Sequence, residues 1–379
     1  MTTGNVGHAK TVIFLGAGAS AAEGAPVQGK LFHEYVLFER RALSHEINHH
    51  LVKFFRHFFG LDILDPHAET YSFPTFEEVL GILELADSQE EYFRSPSTGL
   101  ERRHWDAAQI KRTRRALILL IAEVLDWKLR DEGSHHRRLL QNLNHLGKLE
   151  RTLFLSLNYD IVIDNALLDL REEDNTGWDL DYGVNFTNVV MTSDRLDAQW
   201  HQPDPERSVL LLKLHGSLNW LYCPTCRALT LTPKEKRVCS LKWRPGDCCC
   251  HQCYAVSVPI IIPPTFFKAM SNFYLQQIWK RAEEELKQAE RIVFCGYSFP
   301  DADMHVKYLL KRAEVNRTGS PPDVFIVNEH EGKTDEQRRM EKDRYLRFFR
   351  QKDRVHWTDL SFQGFAAEPQ LIEDQARWQ

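Results

Sequence analysis

Apolar residues recur along this chain with two spacings, and the alternation between them predicts its architecture. Short continuous apolar runs, suited to strands buried on both faces, occur at Val12–Leu15, Thr152–Leu157, Val209–Leu214, Val258–Ile262, Ile292–Cys295 and Val324–Val327. Between them Gln28–Arg40, Ile161–Leu170, Asn272–Ala289 and Asp303–Ala313 carry apolar residues every three or four positions, as helices do. Strand and helix in turn predict an α/β fold, a doubly wound, Rossmann-like parallel sheet with ligands expected outside the carboxyl ends of its strands.

Residues 41–150 break the alternation. Leu51, Phe54, Phe55 and Phe58, then Phe76, Val79, Leu80 and Leu83, then Ile110, Leu117, Leu120, Ile121 and Val124 keep helical spacing with no strand between them. A hundred residues is too long for one crossover, so a helical insertion is expected, serving as lid, spacer or oligomer contact. The sheet domain is then built from residues 1–40, 151–220 and 258–330. A small module occupies 221–257, and a C-terminal helical tail, with one basic helix near Asp335–Arg350, occupies 331–379.

With 43% hydrophobic residues, 379 residues can bury a sizeable core. The net charge of -5 calls for no polyanionic partner. The basic runs at Arg102–Arg115 and Arg338–Arg350 are interleaved with apolar residues at helical spacing and read as solvated helix faces, so no direct nucleic-acid binding is expected. No stretch approaches the roughly twenty apolar residues that cross a bilayer, so a cytoplasmic protein without membrane contact is expected.

Chemistry concentrates where strands end. Val12–Leu15 breaks into Gly16-Ala17-Gly18-Ala19-Ser20, a turn that fits a nucleotide pyrophosphate and equally an ordinary tight strand-to-helix turn. A full dinucleotide fingerprint would place a third glycine at Ala21. Three further strands give way to Asn158-Tyr159-Asp160, His215-Gly216-Ser217 and Gly296-Tyr297-Ser298. His215 at such an end suits a general base, with Gly216 leaving room for substrate. A structural histidine and a helix cap at Asp160 or Ser217 are the alternatives.

Most of the eight cysteines fall in one window. Cys223-Pro-Thr-Cys226 and Cys250-His-Gln-Cys253 form two C-x-x-C knuckles at the spacing of a closed, structural tetrahedral zinc site. Cys248, Cys249 or His251 could replace a ligand of the second knuckle, and Cys239 and Cys295 look unpaired. His45-Glu46-Ile47-Asn48-His49 matches the H-E-x-x-H pattern of zinc peptidases, but no third ligand is recognisable nearby and the segment lies inside the insertion.

In order along the chain, GAGAS with Gly24-Ala25-Pro26, SLNYD (Ser156–Asp160), KLHGS (Lys213–Ser217) and the paired knuckles resemble sirtuins. IIPPTFFK (Ile261–Lys268) and FCGYSFPDAD (Phe294–Asp303) are more similar to the divergent sirtuin-like domains of bacterial antiviral defence. The resemblance covers about Val12–Asn328 without the insertion. It implies NAD as substrate and a structural Zn2+. Gly16, Ala17, Gly18, Ser20 and Pro26 would hold the pyrophosphate side, and Gly296, Ser298, Asn328 and Glu329 the adenosine side. Asn158 would contact the nicotinamide ribose, Asp160 the carboxamide, and His215 would be the base.

Departures from the deacylase pattern choose the acceptor. Val27-Gln28-Gly29 follows Pro26 where deacylases carry an acidic residue, phenylalanine and arginine, and Leu157 stands where they have glutamine. Ser257-Val258-Pro259-Ile260 replaces their Phe-Gly-Glu peptide clamp. The resemblance therefore implies an NAD+ glycohydrolase releasing nicotinamide and ADP-ribose, in the manner of an abortive-infection antiphage effector. Control by homo-oligomerisation or by a partner ATPase or other defence protein is expected. An NAD-dependent protein deacylase and a non-catalytic NAD or ADP-ribose sensor are the other readings.

Overall fold

The structure, a computed structural model, describes residues 11–39, 45–94, 105–129, 134–174, 177–192, 195–204, 207–231, 249–262, 272–301, 303–329 and 332–373. Cys239, Cys248 and most of IIPPTFFK lie outside them, as do the side chains of His45 and Glu46. In chain order the strands are β1 (Thr11–Leu15), β2 (Thr152–Ser156), β3 (Asp179–Asp181), β4 (Phe186–Thr192), β5 (Arg195–His201) and β6 (Ser208–Lys213). They continue as β7 (Gly216–Tyr222), β8 (Leu229–Leu231), β9 (Val258–Ile261), β10 (Arg291–Cys295), β11 (Asp323–Val327) and β12 (Val355–Thr358). The helices are α1 (Ala17–Ala21), α2 (Leu31–Glu39), α3 (His45–Phe59), α4 (Phe76–Gln89), α5 (Ala107–Lys128) and α6 (Ser134–His145), then α7 (Val162–Asp174), α8 (Phe273–Gln288), α9 (Met304–Val315), α10 (Asp335–Phe348) and α11 (Phe362–Ala367).

Seven strands form one wholly parallel sheet in the order β12-β11-β10-β1-β2-β6-β3. β1 sits in the middle because every residue from Val12 to Leu15 is covered on both faces, none more than 1% exposed. From β1 the chain winds outward through β2 and β6 on one side and through β10, β11 and β12 on the other. The reversal between β1 and β10 leaves a crevice at their carboxyl ends, the usual ligand position of such sheets.

Three expectations are corrected. Val258–Ile261 does not join the parallel sheet: β9 pairs antiparallel with β7 at the edge of a second sheet, β5-β4-β8-β7-β9. Helix α2 is not the crossover from β1, since Leu31, Phe32, Tyr35 and Val36 pack into the core of the insertion helices. The crossover is α6, whose Leu139, Leu140 and Leu143 join the core of the sheet. The end of the chain, expected as a helical tail, completes the sheet: Tyr345, Phe349, Val355, Trp357 and Phe365 belong to its core, with β12 as an edge strand.

Two apolar cores result, one around the parallel sheet and one inside α2–α5. Tyr159, Leu218, Leu221 and Ile261 come from the sheet domain and pack into the second core, so they form the seam between the two. Arg114 of α5 reinforces it by donating to the Ile261 carbonyl at 3.0 Å while pairing with Glu84 of α4. The insertion is thus fastened directly beside the strand ends.

Candidate functional site

A cavity of about 1230 Å³ opens at the carboxyl ends of β1, β2, β10 and β11, roofed by α4. Of the residues singled out in the sequence, Gly16, Ala17, Gly18, Asn158, His215, Gly296, Ser298, Asn328 and Glu329 line it. Ser20, Pro26 and Asp160 do not. Ser20 and Asp160 stand behind the wall, 3% and 6% exposed, and Pro26 gives way to Val27 and Gly29.

The glycines serve a purpose the sequence did not disclose. The N–H groups of Gly16 and Gly18 donate to the carbonyls of Cys295 and Gly296 at 2.9 and 2.8 Å, so these amides are spent on the end of β10 and the loop that follows it. A Cβ on Gly16 would lie 2.6 Å from the Gly296 oxygen, and one on Gly18 2.7 Å from the Gly296 Cα. Gly296 itself has φ +62°, and a Cβ there would lie 2.3 Å from the Ala19 nitrogen. The glycines let two backbone loops touch at the reversal of the sheet. Gly216 behaves likewise: it has φ +81°, and a Cβ would meet the Ile260 carbonyl of β9 at 2.0 Å, so its bareness makes room for a strand, not for substrate.

Asn158 binds the same turn. Its Nδ2 donates to the Gly16 carbonyl at 2.9 Å and to Ser20 Oγ at 2.8 Å. Both amide protons are used inside the protein, so Oδ1 is the group it can offer the cavity. Ser20 passes the connection on, donating to Asp160 Oδ2 at 2.7 Å. Asp160 Oδ1 accepts the N–H of Val162 at the start of α7, which is the helix-capping alternative read from the sequence. Beneath it, Lys213 Nζ donates to the Asp160 carbonyl and pairs with Asp164 at 2.8 Å, both side chains fully buried. Tyr182 donates to the other Asp164 oxygen at 2.8 Å. The SLNYD and KLHGS segments are therefore joined by a buried network that fixes where Asn158 and His215 emerge.

His215 is 3% exposed, with Nδ1 3.1 Å from the Leu157 carbonyl. A carbonyl can only accept, so Nδ1 carries the proton, and the neutral ring keeps its lone pair on Nε2. Nε2 lies 3.8 Å from Asp303 Oδ1. Tyr159 stands alongside, its ring centroid 6.3 Å from the imidazole and its hydroxyl donating to the Ile262 carbonyl. Burial, and next the charge of Glu77, push the Tyr159 phenol well above its ordinary value, so it remains a donor.

Residues without a role in the sequence reading complete the lining. Tyr297 belongs to the strand end Gly296-Tyr297-Ser298 but has no role of its own there, Asp303 falls inside a segment singled out only for its resemblance, and Glu77 lies in the insertion, where nothing pointed to the site. A capping box between Thr75 and Glu78 fixes the start of α4 over the cavity. Glu77 lies within that first turn, half-buried with its Oε2 covered, and burial raises its carboxyl to about 7. At the far end Asn328 holds the backbone of Tyr297 with Oδ1 and Nδ2, at 3.1 and 2.9 Å, while Lys333 pairs with Glu341.

Away from the cavity the sulfurs of Cys223, Cys226, Cys250 and Cys253 all lie within 4.8 Å of one another, with two contacts of 3.4 Å. Tetrahedral Zn–S bonds of about 2.3 Å would separate sulfurs by roughly 3.8 Å, so the four fit one metal ion. Cys249 and His251 are outside this set, and among the described residues it is the only such cluster.

Residues 152–349, just over half of the chain, match the family model described as a SIR2-like domain. The chain belongs to the SIR2-like family. The match begins at β2, so the glycine turn lies outside it and reaches the site through the pairing of β1 with β2 and β10. Among solved structures, one described as "Structural Basis for the Mechanism and Regulation of Sir2 Enzymes" is 15% identical, with 98% of this chain and 94% of that one covered and a TM-score of 0.42. A Sir2 complex with a peptide and NAD+ is 13% identical, with 97% and 93% covered and a TM-score of 0.41. Both superpositions are loose, and the family assignment stands on the sequence match alone. No curated protein matches the chain. Among the described residues of this SIR2-like chain, no helix is long and apolar enough to cross a membrane.

Proposed function

We propose that this SIR2-like protein is an NAD+ glycohydrolase, releasing nicotinamide and ADP-ribose with His215 as the base. The observation that carries the reading is the convergence of His215, Asn158 and the loops after β1 and β10 on one cavity large enough for a dinucleotide. Departure of nicotinamide leaves an oxocarbenium-like ribose, and a base that takes a proton from water assists its capture. His215, with Nδ1 anchored, presents Nε2 for that purpose, and the Oδ1 of Asn158 is suited to accept from a ribose hydroxyl or the water.

Water is favoured over an acylated peptide by what covers β9. The Ile262 N–H faces β7, so the Ile261 carbonyl points to the open side of β9, and Arg114 takes that carbonyl where an incoming strand would otherwise find an acceptor. Because uncontrolled NAD loss harms its own cell, the reading includes a cytoplasmic antiphage effector held in check by self-assembly or by a partner such as an ATPase. Incubating the purified protein with NAD, with and without an acetylated peptide, tests it. ADP-ribose in both arms is the expected product; O-acetyl-ADP-ribose only with peptide would identify a deacylase, and tight binding without nicotinamide a sensor.

We also assign Zn2+ to the four cysteines, as a closed site that stabilises the module and takes no part in the reaction. Cys226→Ser should lower both the zinc content, read by metal analysis, and the yield of soluble protein, because metal binding there contributes folding free energy.

A further inference from the structure

The carboxylate of Asp303 is placed for something other than its local structure. Asp303 is the N-cap of α9, where an aspartate ordinarily accepts an N–H of the first turn, yet its side chain makes no capping bond. Its Oδ2 accepts the Tyr297 hydroxyl at 2.9 Å, and its Oδ1 lies 3.8 Å from His215 Nε2 at the cavity wall. Between the two in sequence, Phe299 adopts a left-handed φ of 53°, a conformation that a residue with a Cβ holds only under constraint. Stacking on Tyr345, with centroids 4.6 Å apart, supplies that constraint. One turn along α9, Lys307 pairs with Asp301.

A gap of 3.8 Å is too wide for a direct N–H···O bond. It suits one water oxygen about 2.8 Å from each atom, donating one O–H to Nε2 and the other to Oδ1, with its lone pairs turned to the cavity. We propose that Asp303 is a further catalytic residue, which with His215 holds the attacking water and so commits the site to hydrolysis. This inference rests on the NAD-cleaving reading above. The C1′–N bond breaks and its electron pair leaves with neutral nicotinamide; the water oxygen gives a pair to C1′, and its proton passes to His215 Nε2. Asp303 keeps the second O–H and orients the oxygen. Tyr297, whose phenol is kept protonated by burial and by the neighbouring Asp303 charge, holds the carboxylate in place.

The test compares NAD hydrolysis with exchange of labelled nicotinamide into NAD, which needs bond cleavage but no water. Asp303→Asn keeps an acceptor for Tyr297 and loses the charge. Hydrolysis should fall about a hundredfold, the KM for NAD should stay within about threefold, and the ratio of exchange to hydrolysis should rise at least about tenfold. Tyr297→Phe, which leaves the carboxylate in place but unheld, should shift that ratio in the same direction by a smaller factor, and it serves should Asp303→Asn not fold. Unchanged hydrolysis, or exchange and hydrolysis falling together in both variants, overturns the role of Asp303. Should the unaltered protein release no nicotinamide, the functional reading fails instead.

Discussion

His215→Ala should lower nicotinamide release from NAD by about a hundred- to ten-thousandfold, the usual contribution of a positioned general base. The ring is anchored at Nδ1 by the Leu157 carbonyl and flanked by Tyr159, so its Nε2 cannot be replaced by another group on the same loop. The loss should appear in kcat with little change in KM, since the imidazole acts on the transition state. Some stability will go too, about 1 kcal/mol, because the Leu157 carbonyl loses its donor. Asn158→Ala should reduce activity and stability together, because it also unties Gly16 and Ser20. A His215→Ala protein that cleaves NAD at the original rate would exclude His215 as the base.

The second large effect is on folding. Lys213→Ala should destabilise the protein by about 3–5 kcal/mol, measured by urea or thermal unfolding, because it leaves the fully buried Asp164 without its cation. That is a large part of the 5–15 kcal/mol typical of a whole domain. Combining Lys213→Met with Asp164→Asn removes both charges and keeps an acceptor for Tyr182, and should recover much of the loss. If Lys213→Ala unfolds like the unaltered chain, the network under Asn158 and His215 is not what holds them.

The residues of KLHGS show how much was legible. His215 was found because histidine at a strand end carries chemistry, and the structure sets it in the cavity. Nothing in the sequence distinguishes Lys213, fully buried, from an exposed lysine; its partner Asp164 is 49 residues away. Gly216 was read for the space it leaves, but the space is filled by β9. The same holds for GAGAS, where the glycines answer to Gly296, nearly three hundred residues later. The central strands were plain because burial on both faces writes an unbroken apolar run. The edge strands β3 and β12 were not, because Asp179–Asp181 and Val355–Thr358 are short and only partly buried, alternating with polar neighbours.

By itself the sequence determined the α/β class, the helical insertion, the knuckle pairs and the strand ends at which Asn158 and His215 stand, because burial period and local ligand spacing are properties of neighbouring residues. Tertiary structure alone decided that α2 leaves the sheet, that the chain end completes it, and that Asp303, Tyr297 and Glu77 share the cavity with His215. Those outcomes depend on distances between residues far apart in the chain, and a pattern confined to one segment carries no record of them.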